Sequence, residues 1–425
     1  MKSSDLEKII GLRRTLHQHS ELSLQETETM KILQTFLQEN TSLEIHKRDG
    51  WFYALKKGSA LIESDDSNSR KGSALIESDD SNSRKGSVMI ESDSGSSRPI
   101  AFRADMDALP IPESIILPYG SQNEGISHKC GHDGHCAVLC GLALQLDSRE
   151  TNRDVYLIFQ PGEEIGAGAQ RCAELLREKR IAEIYAFHNL GGYPEGSLVY
   201  RRGLTQPASE GLRIRLTGRT SHASAPEKGN NPAGAIASIV QYALRIAGES
   251  PAQTPQSDAK ISIKSRTQNP SMRLCTITGI LLGDGDFGIS PGEGEICMTL
   301  RAEIEKEMQA MEQLIISYAA QVSEALGLKM TYSIHDYFPE TRNHDTCLNR
   351  MLDAARERKI PAISMPDLWR ASEDFGHYLK ICPGAMFYIG NGEDYPPLHT
   401  AEYDFNDRII ETSVNMFMRI AGIPV

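Results

Sequence analysis

Three histidines, two cysteines and an aspartate occur within the nine residues HKCGHDGHC, which run from 128 to 136. Side chains of these types can bind a metal ion, form a cysteine nucleophile with its base, or make a redox pair. Cys130 and His132 are two residues apart, so in extended backbone their side chains point to the same side and could bind one metal ion or two adjacent ones. The CxH spacing alone leaves these alternatives open, because the sequence has no CxxC pair of the kind common in structural zinc sites.

A cysteine nucleophile or a redox pair would use fewer of the candidate residues than a metal site. Cys130 could act as a nucleophile with His132 or His188 as its base, but a pair of adjacent glutamates further along the chain would then have no function. Cys136 and Cys140 are four residues apart in an apolar helical segment, which favours their packing as small hydrophobic side chains. A metal site is therefore the favoured interpretation.

The adjacent glutamates Glu163 and Glu164 follow VYLIFQP, a segment typical of a buried strand that ends at a proline. Neighbouring carboxylates in a loop point in different directions, so one can bind a metal ion while the other faces a water molecule that the metal activates. A carboxylate in that position can take a proton from the water and pass it to a leaving group. The alternative is a solvated turn, and both interpretations stay open from these residues alone.

Four further candidates lie where predicted strands end. His188 ends the segment EIYAFH, His399 lies in PLHTAEYD, and Asp105 and Asp107 follow the strand in FRADMDA. In α/β proteins the loops at the carboxyl ends of strands converge on ligands. Either aspartate could orient a histidine ligand, or could serve only in a cap or turn. The candidate metal ligands are then five, enough for two ions: Cys130, His132, Glu164, His188 and His399.

The order of the predicted elements indicates an α/β fold interrupted by an inserted domain. Strands and helices alternate through residues 1–202 and again through 315–425, which predicts a catalytic α/β domain with a mostly parallel sheet. Residues 203–314 contain the strand-like segments GLRIRLTG, AKISIKSRT, RLCTITGI and EICMTLRAEI and two helical segments, as in an α+β module. We therefore predict a lid domain at 203–314 and assign the later segment KMTYSIHDYFP to the second part of the catalytic domain.

A 14-residue tandem repeat occupies 58–98, within the first part of the catalytic domain. GSALIESDDSNSRK occurs twice unchanged and once in degenerate form, and each copy is an apolar run followed by a polar turn. Three such short copies do not match the usual solenoid units. We interpret the repeat as an expanded surface hairpin, with a functional rim or a partner-binding arm as the alternative.

Composition limits the partners and the compartment. The formal net charge of −12 over 425 residues argues against nucleic acid or an anionic membrane as the main partner. No apolar run approaches the roughly 18 residues of a membrane span. The eight cysteines are scattered without a disulfide framework, and the charged first segment does not look like an export signal, so we expect a cytoplasmic protein.

Several motifs resemble those of the di-metal amidohydrolases that include aminoacylase-like, hippuricase-like and indole-acetyl-amino-acid hydrolases. In chain order they are LHQHSEL, FRADMDALPI, CGHDGH, FQPGEE, FHN, SHASAPEKGNNP, SEDF and LHTAEYDFND. The similarity extends from about residue 9 to the C-terminus, apart from the repeat. It implies a catalytic α/β domain that binds two divalent metal ions and an inserted α+β lid domain that mediates formation of a homodimer.

The resemblance also implies a role for each candidate residue. Glu163 would be the general base and then the acid that protonates the departing amine. Asp107 would orient a ligand, and His222 in the lid would stabilise the oxyanion, in some members from the partner subunit. The metal ions, whose identity stays open among zinc, manganese, nickel and cobalt, would be bound by Cys130, His132, Glu164, His188 and His399.

The chain departs from the resembled pattern at two places. Ser20 stands where proline is usual, and GDGDFGISPGEGEI replaces the commoner lid segment near the substrate's carboxylate, so substrate specificity does not transfer. We predict a metal-dependent amidohydrolase that cleaves an N-acyl amino acid or a similar small amide with metal-activated water. A dipeptidase or other exopeptidase of the same fold, and a non-catalytic metal-binding relative, are the alternatives.

Overall fold

A computed structural model of the chain describes residues 1–59, 98–248 and 272–423. The tandem repeat, apart from a few residues at its ends, and the predicted lid strand AKISIKSRT lie outside these residues. The α-helices in the described ranges are α1 (Ser3–Gln18), α2 (Thr27–Asn40), α3 (His132–Asp147), α4 (Gly168–Cys172), α5 (Glu174–Glu178), α6 (Ala233–Ile246), α7 (Glu305–Ala325), α8 (Asp345–Glu357), α9 (Gly376–Leu379) and α10 (Ile410–Ile420). The strands are β1 (Glu44–Arg48), β2 (Trp51–Lys56), β3 (Ile100–Asp105), β4 (Val155–Gln160), β5 (Glu183–Gly191), β6 (Leu198–Tyr200), β7 (Gly203–Gln206), β8 (Ala208–Thr217), β9 (Ser221–His222), β10 (Arg273–Leu282), β11 (Ile289–Ser290), β12 (Glu293–Ala302), β13 (Lys329–Phe338), β14 (Thr341–Asn343), β15 (Ala362–Ser364) and β16 (Gly384–Gly392).

An eight-stranded sheet in the order β1-β2-β4-β3-β5-β16-β6-β15 forms the centre of the predicted catalytic domain. Its four parallel pairings outnumber the three antiparallel ones and include the central run β4-β3-β5-β16. Strands β3 and β4 are buried along their whole length, as expected for parallel strands with helices on both faces. The predicted α/β class with a mostly parallel sheet is confirmed. Because the four central strands run in one direction, the loops after them meet at one edge.

Helices cover both faces of this sheet and fix the loop that carries the first candidate ligands. One face packs against α1, α2, α3, α8 and α10, and the other against the short helices α4, α5 and α9. Helix α3 is buried around nearly its whole circumference, because its sequence is apolar on all sides and it lies between the sheet and the helices α1 and α10. Since α3 begins at His132, this packing holds the segment from Cys130 to His132 at the edge of the sheet where the loops after the central strands meet, here called the ligand edge.

A separate antiparallel sheet in the order β10-β12-β8-β13 forms the lid, with α6 and α7 packed on one face. Side chains of β8 alternate as a half-buried strand requires. Leu212 and Ile214 belong to the apolar core under the helices, whereas Arg213 and Arg215 lie on the opposite face and are partly or fully exposed. The second face of the lid sheet is therefore polar and available to line a cavity.

The predicted bounds of the lid stay a prediction, and the structure supports a later end than residue 314. That position falls inside helix α7, which packs on the lid sheet, and β13, the segment assigned to the catalytic domain, pairs with β8 along a register from Lys329↔Thr217 to Phe338↔Ser209. Strands β7 and β14 pair with each other outside that sheet. The physical reason is that an antiparallel strand satisfies its backbone groups with whichever partner the fold brings alongside, and here that partner is β8. We propose that the inserted domain runs from β8 to β13.

The helices described in the three ranges include none that is both long and apolar enough to cross a membrane.

A buried ionic network fastens α1 to the loops at the ligand edge. The Nη1 group of Arg13 donates to Asp404 Oδ1 at 2.8 Å. His17 lies between two carboxylates, with Nδ1 2.8 Å from Asp133 Oδ2 and Nε2 2.8 Å from Glu113 Oε1. Burial lowers the pKa of His17, but the hydrogen bonds to Asp133 and Glu113 outweigh it and raise the pKa to about 9. Both ring nitrogens therefore donate, and His17 is a buried cation at neutral pH.

We expect the free energy of unfolding to fall as the pH rises through about 9, because His17 loses its proton there. Histidine in the unfolded chain titrates near its ordinary value of about 6.5, so the stabilisation is complete below that pH and is lost above the folded pKa. The shift from 6.5 to about 9 corresponds to about 3 kcal/mol between these limits. Denaturant unfolding of wild type and of His17→Gln at about pH 6 and about pH 10 measures the effect. Equal pH dependence in the two proteins would contradict the assignment.

Candidate metal centre

The candidate ligands lie around one edge of the catalytic sheet, on loops that follow its central strands. Glu163 and Glu164 follow β4 after a short turn. Pro161 and Gly162 end this strand, because proline lacks an N–H group and Gly162 has φ +58°. His188 lies near the carboxyl end of β5, and His399 lies in the loop after β16. The parallel pairing of these strands brings loops together that are far apart in sequence.

The backbone around the other two ligands requires a glycine. Gly131, between Cys130 and His132, has φ +96°, and a Cβ atom there would clash with the side chains of Asn189 and Tyr403. Only glycine combines this left-handed conformation with so close an approach. The turn at Gly131 allows Cys130 to lie in the loop while His132 starts helix α3.

The structure brings all five predicted ligand side chains together. Cys130 Sγ lies 3.4 Å from His188 Nε2 and 3.3 Å from His399 Nε2. Glu164 connects the two sides of the cluster, with Oε1 3.7 Å from His132 Nε2 and Oε2 3.6 Å from His399 Nε2. These atoms fall into overlapping groups within 4.8 Å of one another, which is the size of a site for one or two metal ions.

Two histidines present the nitrogen that a metal ion needs. His132 Nδ1 lies 2.9 Å from the backbone oxygen of Asp107 and 3.3 Å from its Oδ1, and His188 Nδ1 lies 2.7 Å from the backbone oxygen of Asn189. Because Nδ1 must donate to these oxygens, Nε2 is the nitrogen of each ring that faces the cluster and that can bind a metal ion in place of a proton. Asp107 also accepts the N–H of Glu164 at 2.9 Å and so touches two of the predicted ligands. Its orienting role stays a prediction.

Unpaired polar atoms show that the cluster fits a cation. His132 Nε2 and Glu164 Oε1 are buried and have no hydrogen-bond partner among the described residues, an arrangement that costs free energy unless a ligand satisfies both atoms. Burial lowers the pKa of His132, but Asp105, Asp107 and Glu164 outweigh it and raise the pKa to about 10. A potential negative enough to hold a proton on a fully buried imidazole also favours a divalent metal ion. Nitrogen, oxygen and sulfur donors together suit such an ion.

Glu163 lies in the same cluster but differs from Glu164 in its contacts. Its carboxylate is buried, accepts the N–H of Asp374 at 3.3 Å and lines the cavity described below. Burial raises its pKa well above the ordinary range, and the neighbouring carboxylates of Glu373 and Glu164 raise it further. A carboxylate with this tendency to hold a proton, beside the candidate metal ligands, is suited to proton transfer.

The environment of Cys130 disfavours the nucleophile interpretation. Burial raises the pKa of its thiol well above the ordinary range, and the carboxylates of Glu164, Glu163 and Asp105 raise it further. A thiol surrounded in this way remains protonated unless a cation replaces the proton, and the thiol form is a poor nucleophile. Cys136 and Cys140 are fully buried in helix α3, as expected for packing residues.

A buried arginine behind the cluster was not identified from the sequence. Arg103 is 1% exposed and donates to Asp105 Oδ2 at 2.6 Å and to Asp374 Oδ1 at 2.7 Å. Asp105, one of the two candidate orienting aspartates, binds His135 Nδ1 at 2.6 Å through its other oxygen. Its Oδ2 also lies 3.8 Å from His132 Nε2, so both aspartates lie close to His132, Asp105 at Nε2 and Asp107 at Nδ1. The available signal was a charged residue in the otherwise apolar strand IAFRAD.

A cavity of about 790 Å³ opens between the candidate metal centre and the lid. Its volume is in the range of sites for drug-sized ligands. Arg301 of β12 supplies the only lysine or arginine side chain among the described residues that line it. Arg301 Nη1 donates to the backbone oxygen of Arg370 at 3.0 Å and to Ser372 Oγ at 2.7 Å, which ties the lid strand to the loop before α9. The sequence offered no signal for this residue, because it belongs to a regular lid strand.

The structure does not bring His222 to the other predicted residues. It lies on β9 in the lid, is exposed, and is absent from the described residues that line the cavity. Its Nδ1 accepts the N–H of Ser224 at 3.1 Å, which leaves Nε2 as the protonated nitrogen of the neutral ring. The predicted role of His222 stays a prediction.

Comparison with known proteins identifies what this arrangement resembles. The family model described as peptidase family M20/M25/M40 matches residues 101–422. An N-acetyl-L-cysteine deacetylase of Bacillus subtilis is 30% identical over 417 residues, which cover 97% of this chain and 88% of that protein. A hippurate hydrolase of Campylobacter jejuni is 29% identical over 327 residues, covering 76% of this chain and 80% of that protein.

A solved structure agrees on the fold. A dinuclear metal binding peptidase of Bacillus subtilis superimposes with a TM-score of 0.73 at 23% identity, covering 99% of this chain and 98% of that chain. The similarity extends over the catalytic sheet and the inserted lid together.

Proposed function

The chain belongs to peptidase family M20/M25/M40, and we propose that it is a metal-dependent amidohydrolase that cleaves the amide bond of N-acyl amino acids. Family membership confirms the relationship and the hydrolase class predicted from the motifs. The observation that carries the proposal is the convergence of five ligand-type side chains beside the buried carboxylate of Glu163, in a cavity open to a small substrate.

The ligand cluster would hold two divalent metal ions. When bound, such ions lower the pKa of water and polarise an amide carbonyl. The thiolate of Cys130 would contribute a soft donor beside imidazole and carboxylate groups, a set compatible with zinc, manganese, nickel or cobalt. Asp107 would hold His132 and Glu164 in orientation through the hydrogen bonds described above.

Glu163 would move the proton that amide hydrolysis requires. As general base it takes a proton from the water that adds to the carbonyl carbon, and as general acid it delivers that proton to the nitrogen while the C–N bond breaks. The Asp374 N–H holds one of its oxygens in place, and burial beside Glu373 and Glu164 favours retention of the proton between the two steps.

Arg301 supports an N-acyl amino acid as the substrate. Nη1 of Arg301 is engaged by Arg370 and Ser372, and no protein group in the described ranges accepts from its Nε or Nη2 atoms. A guanidinium fixed on one side and free on the other can bind a carboxylate with two hydrogen bonds. The carboxylate of the amino-acid half is the group that such a site would recognise.

The first test of this function is amine release from N-acetyl and N-benzoyl amino acids and dipeptides, with chelator-treated and metal-restored protein side by side. We expect turnover of N-acyl amino acids that disappears with the chelator and returns with zinc, manganese, nickel or cobalt, because the ligand cluster supplies the water activation only when loaded. Turnover that survives complete metal removal, or turnover of dipeptides alone, would contradict the proposal.

Substitutions of the two adjacent glutamates should differ in their effects on turnover and on metal content. Glu163→Gln should lower kcat by at least about 10²-fold while metal content stays near that of wild type, because the residue transfers a proton and binds no metal. Glu164→Gln is the matched control and should lower metal content, since its carboxylate faces two histidine ligands. Metal analysis beside single-turnover rates decides the matter. Loss of metal in Glu163→Gln would reverse the two assignments.

A homodimer formed through the lid would give His222 its function. The ring lies outside the cavity of its own chain, and its Nε2–H group points away from the Ser224 contact as a donor. In a dimer the donor of one subunit would reach the cavity of the other and stabilise the negative charge on the carbonyl oxygen. The partner subunit therefore completes the site in this proposal.

Mixing two inactive variants tests this arrangement. His222→Asn and Glu163→Gln should each be nearly inactive alone. Mixed dimers restore one complete site, made of Glu163 from one subunit and His222 from the other. Random exchange at equal amounts should recover about a quarter of wild-type activity, because half of the dimers are mixed and each has one working site of two. No recovery after verified subunit exchange would place His222 in its own subunit's site or outside catalysis.

A further inference from the structure

Trp369 forms a rigid apolar wall of the cavity beside the candidate metal centre. Its indole lies 5.3 Å from the ring of His188 and 5.3 Å from that of Tyr388, edge-on to both. Its backbone N–H donates to the oxygen of Thr205 at 2.9 Å, and its side chain packs on the cluster that contains Leu190. Trp369 is only partly buried and lines the cavity, so one side of the ring is held by protein and another is available to a ligand.

The short segment that carries Trp369 also contacts Glu163 and Arg301, the two residues proposed to face the amine half of the substrate. Four residues after Trp369, the buried Glu373 lines the cavity with Glu163, and the next residue, Asp374, donates its backbone N–H to Glu163 Oε1 at 3.3 Å. Between them, the segment fixes Arg301 through the backbone oxygen of Arg370 and through Ser372. The segment 369–374 is therefore one wall that borders both the proposed proton-transfer group and the proposed carboxylate-binding group.

The chemistry of an N-acyl amino acid then determines what lies against this wall. The nitrogen that receives the proton from Glu163 is bonded to the Cα atom, which also bears the carboxylate and the side chain. With the nitrogen at Glu163 and the carboxylate at Arg301, the side chain on the same carbon would lie along the same wall, where Trp369 offers the large apolar surface. The rest of the acyl group extends from the carbonyl carbon on the side away from the nitrogen.

We propose that Trp369 binds the side chain of the amino-acid half, so that the enzyme prefers N-acyl derivatives of large apolar or aromatic amino acids. This inference rests on the proposed function and narrows its substrate class. The cavity of about 790 Å³ is far larger than a derivative of glycine or alanine needs, and an aromatic side chain would remove apolar surface of both partners from water.

The ratio of kcat/KM between N-acetyl-L-phenylalanine and N-acetyl-L-alanine tests the inference. In wild type this ratio should be on the order of tenfold or more, and Trp369→Ala should reduce it to near one. Trp369→Phe should keep most of it. A merely structural role beside His188 would lower both rates together and leave the ratio unchanged. Trp51→Phe is the matched control, because Trp51 is buried in another cluster and does not line the cavity.

Fluorescence gives a readout that is independent of turnover. The chain has two tryptophans, so Trp51→Phe leaves Trp369 as the only one. In that protein with Glu163→Gln added, N-acetyl-L-phenylalanine should change the emission and bind on the order of tenfold more tightly than N-acetyl-L-alanine.

The outcomes separate this inference from the proposed function. Hydrolysis of N-acetyl amino acids without an apolar preference, or with a ratio unaffected by Trp369→Ala, would overturn the inference and leave the function standing. A preference sensitive to Trp369 in a series of acyl groups on one amino acid would also overturn it, because the wall would then face the acyl half. No hydrolysis of any amide by metal-loaded protein would overturn the function itself.

Discussion

Burial of several carboxylates at one edge of a parallel sheet is the constraint on which this structure depends. Asp105, Glu163, Glu373 and Asp374 are removed from water within a small volume, which is costly unless positive charge compensates them. Arg103 compensates the inner members through ion pairs to Asp105, Glu373 and Asp374. The outer side, toward the cavity, keeps a negative potential.

The same potential explains the chemistry proposed for the outer side. The neighbouring carboxylates raise the pKa of His132, and together with burial they keep the thiol of Cys130 protonated. Among the described residues, the buried atoms His132 Nε2 and Glu164 Oε1 lack a hydrogen-bond partner. A divalent cation would satisfy all three conditions at once. The inner network is then more than a stabilising feature, because the charge of Arg103 lowers the cost of burying Glu163, which forms no ion pair with the described residues.

In the proposed function, recognition of the substrate is separate from the candidate metal centre. The ligand side chains come from loops of the catalytic sheet, whereas Arg301 comes from a lid strand and Trp369 from the loop that Arg301 contacts. Substrate preference can therefore change through the lid and that loop while the reacting groups stay in place. This division is consistent with one fold supporting hydrolysis of different N-acyl substrates.

The sequence by itself determined the α/β class, the inserted lid and the residue types that converge at the strand ends. Apolar runs that stop at ligand-type side chains are local patterns, and the parallel arrangement then brings those side chains together wherever the strands pair. Three features required the tertiary structure. β13 joins the lid sheet by pairing with β8, which lies more than a hundred residues earlier in the chain. The sequence could not assign this strand, because a half-buried strand has the same alternating pattern in either domain. Arg301 and Trp369 could be identified as candidate binding residues only from the cavity that they line. The sequence also could not show that His222 lies outside that cavity, because packing sets the distances between segments that are remote in sequence.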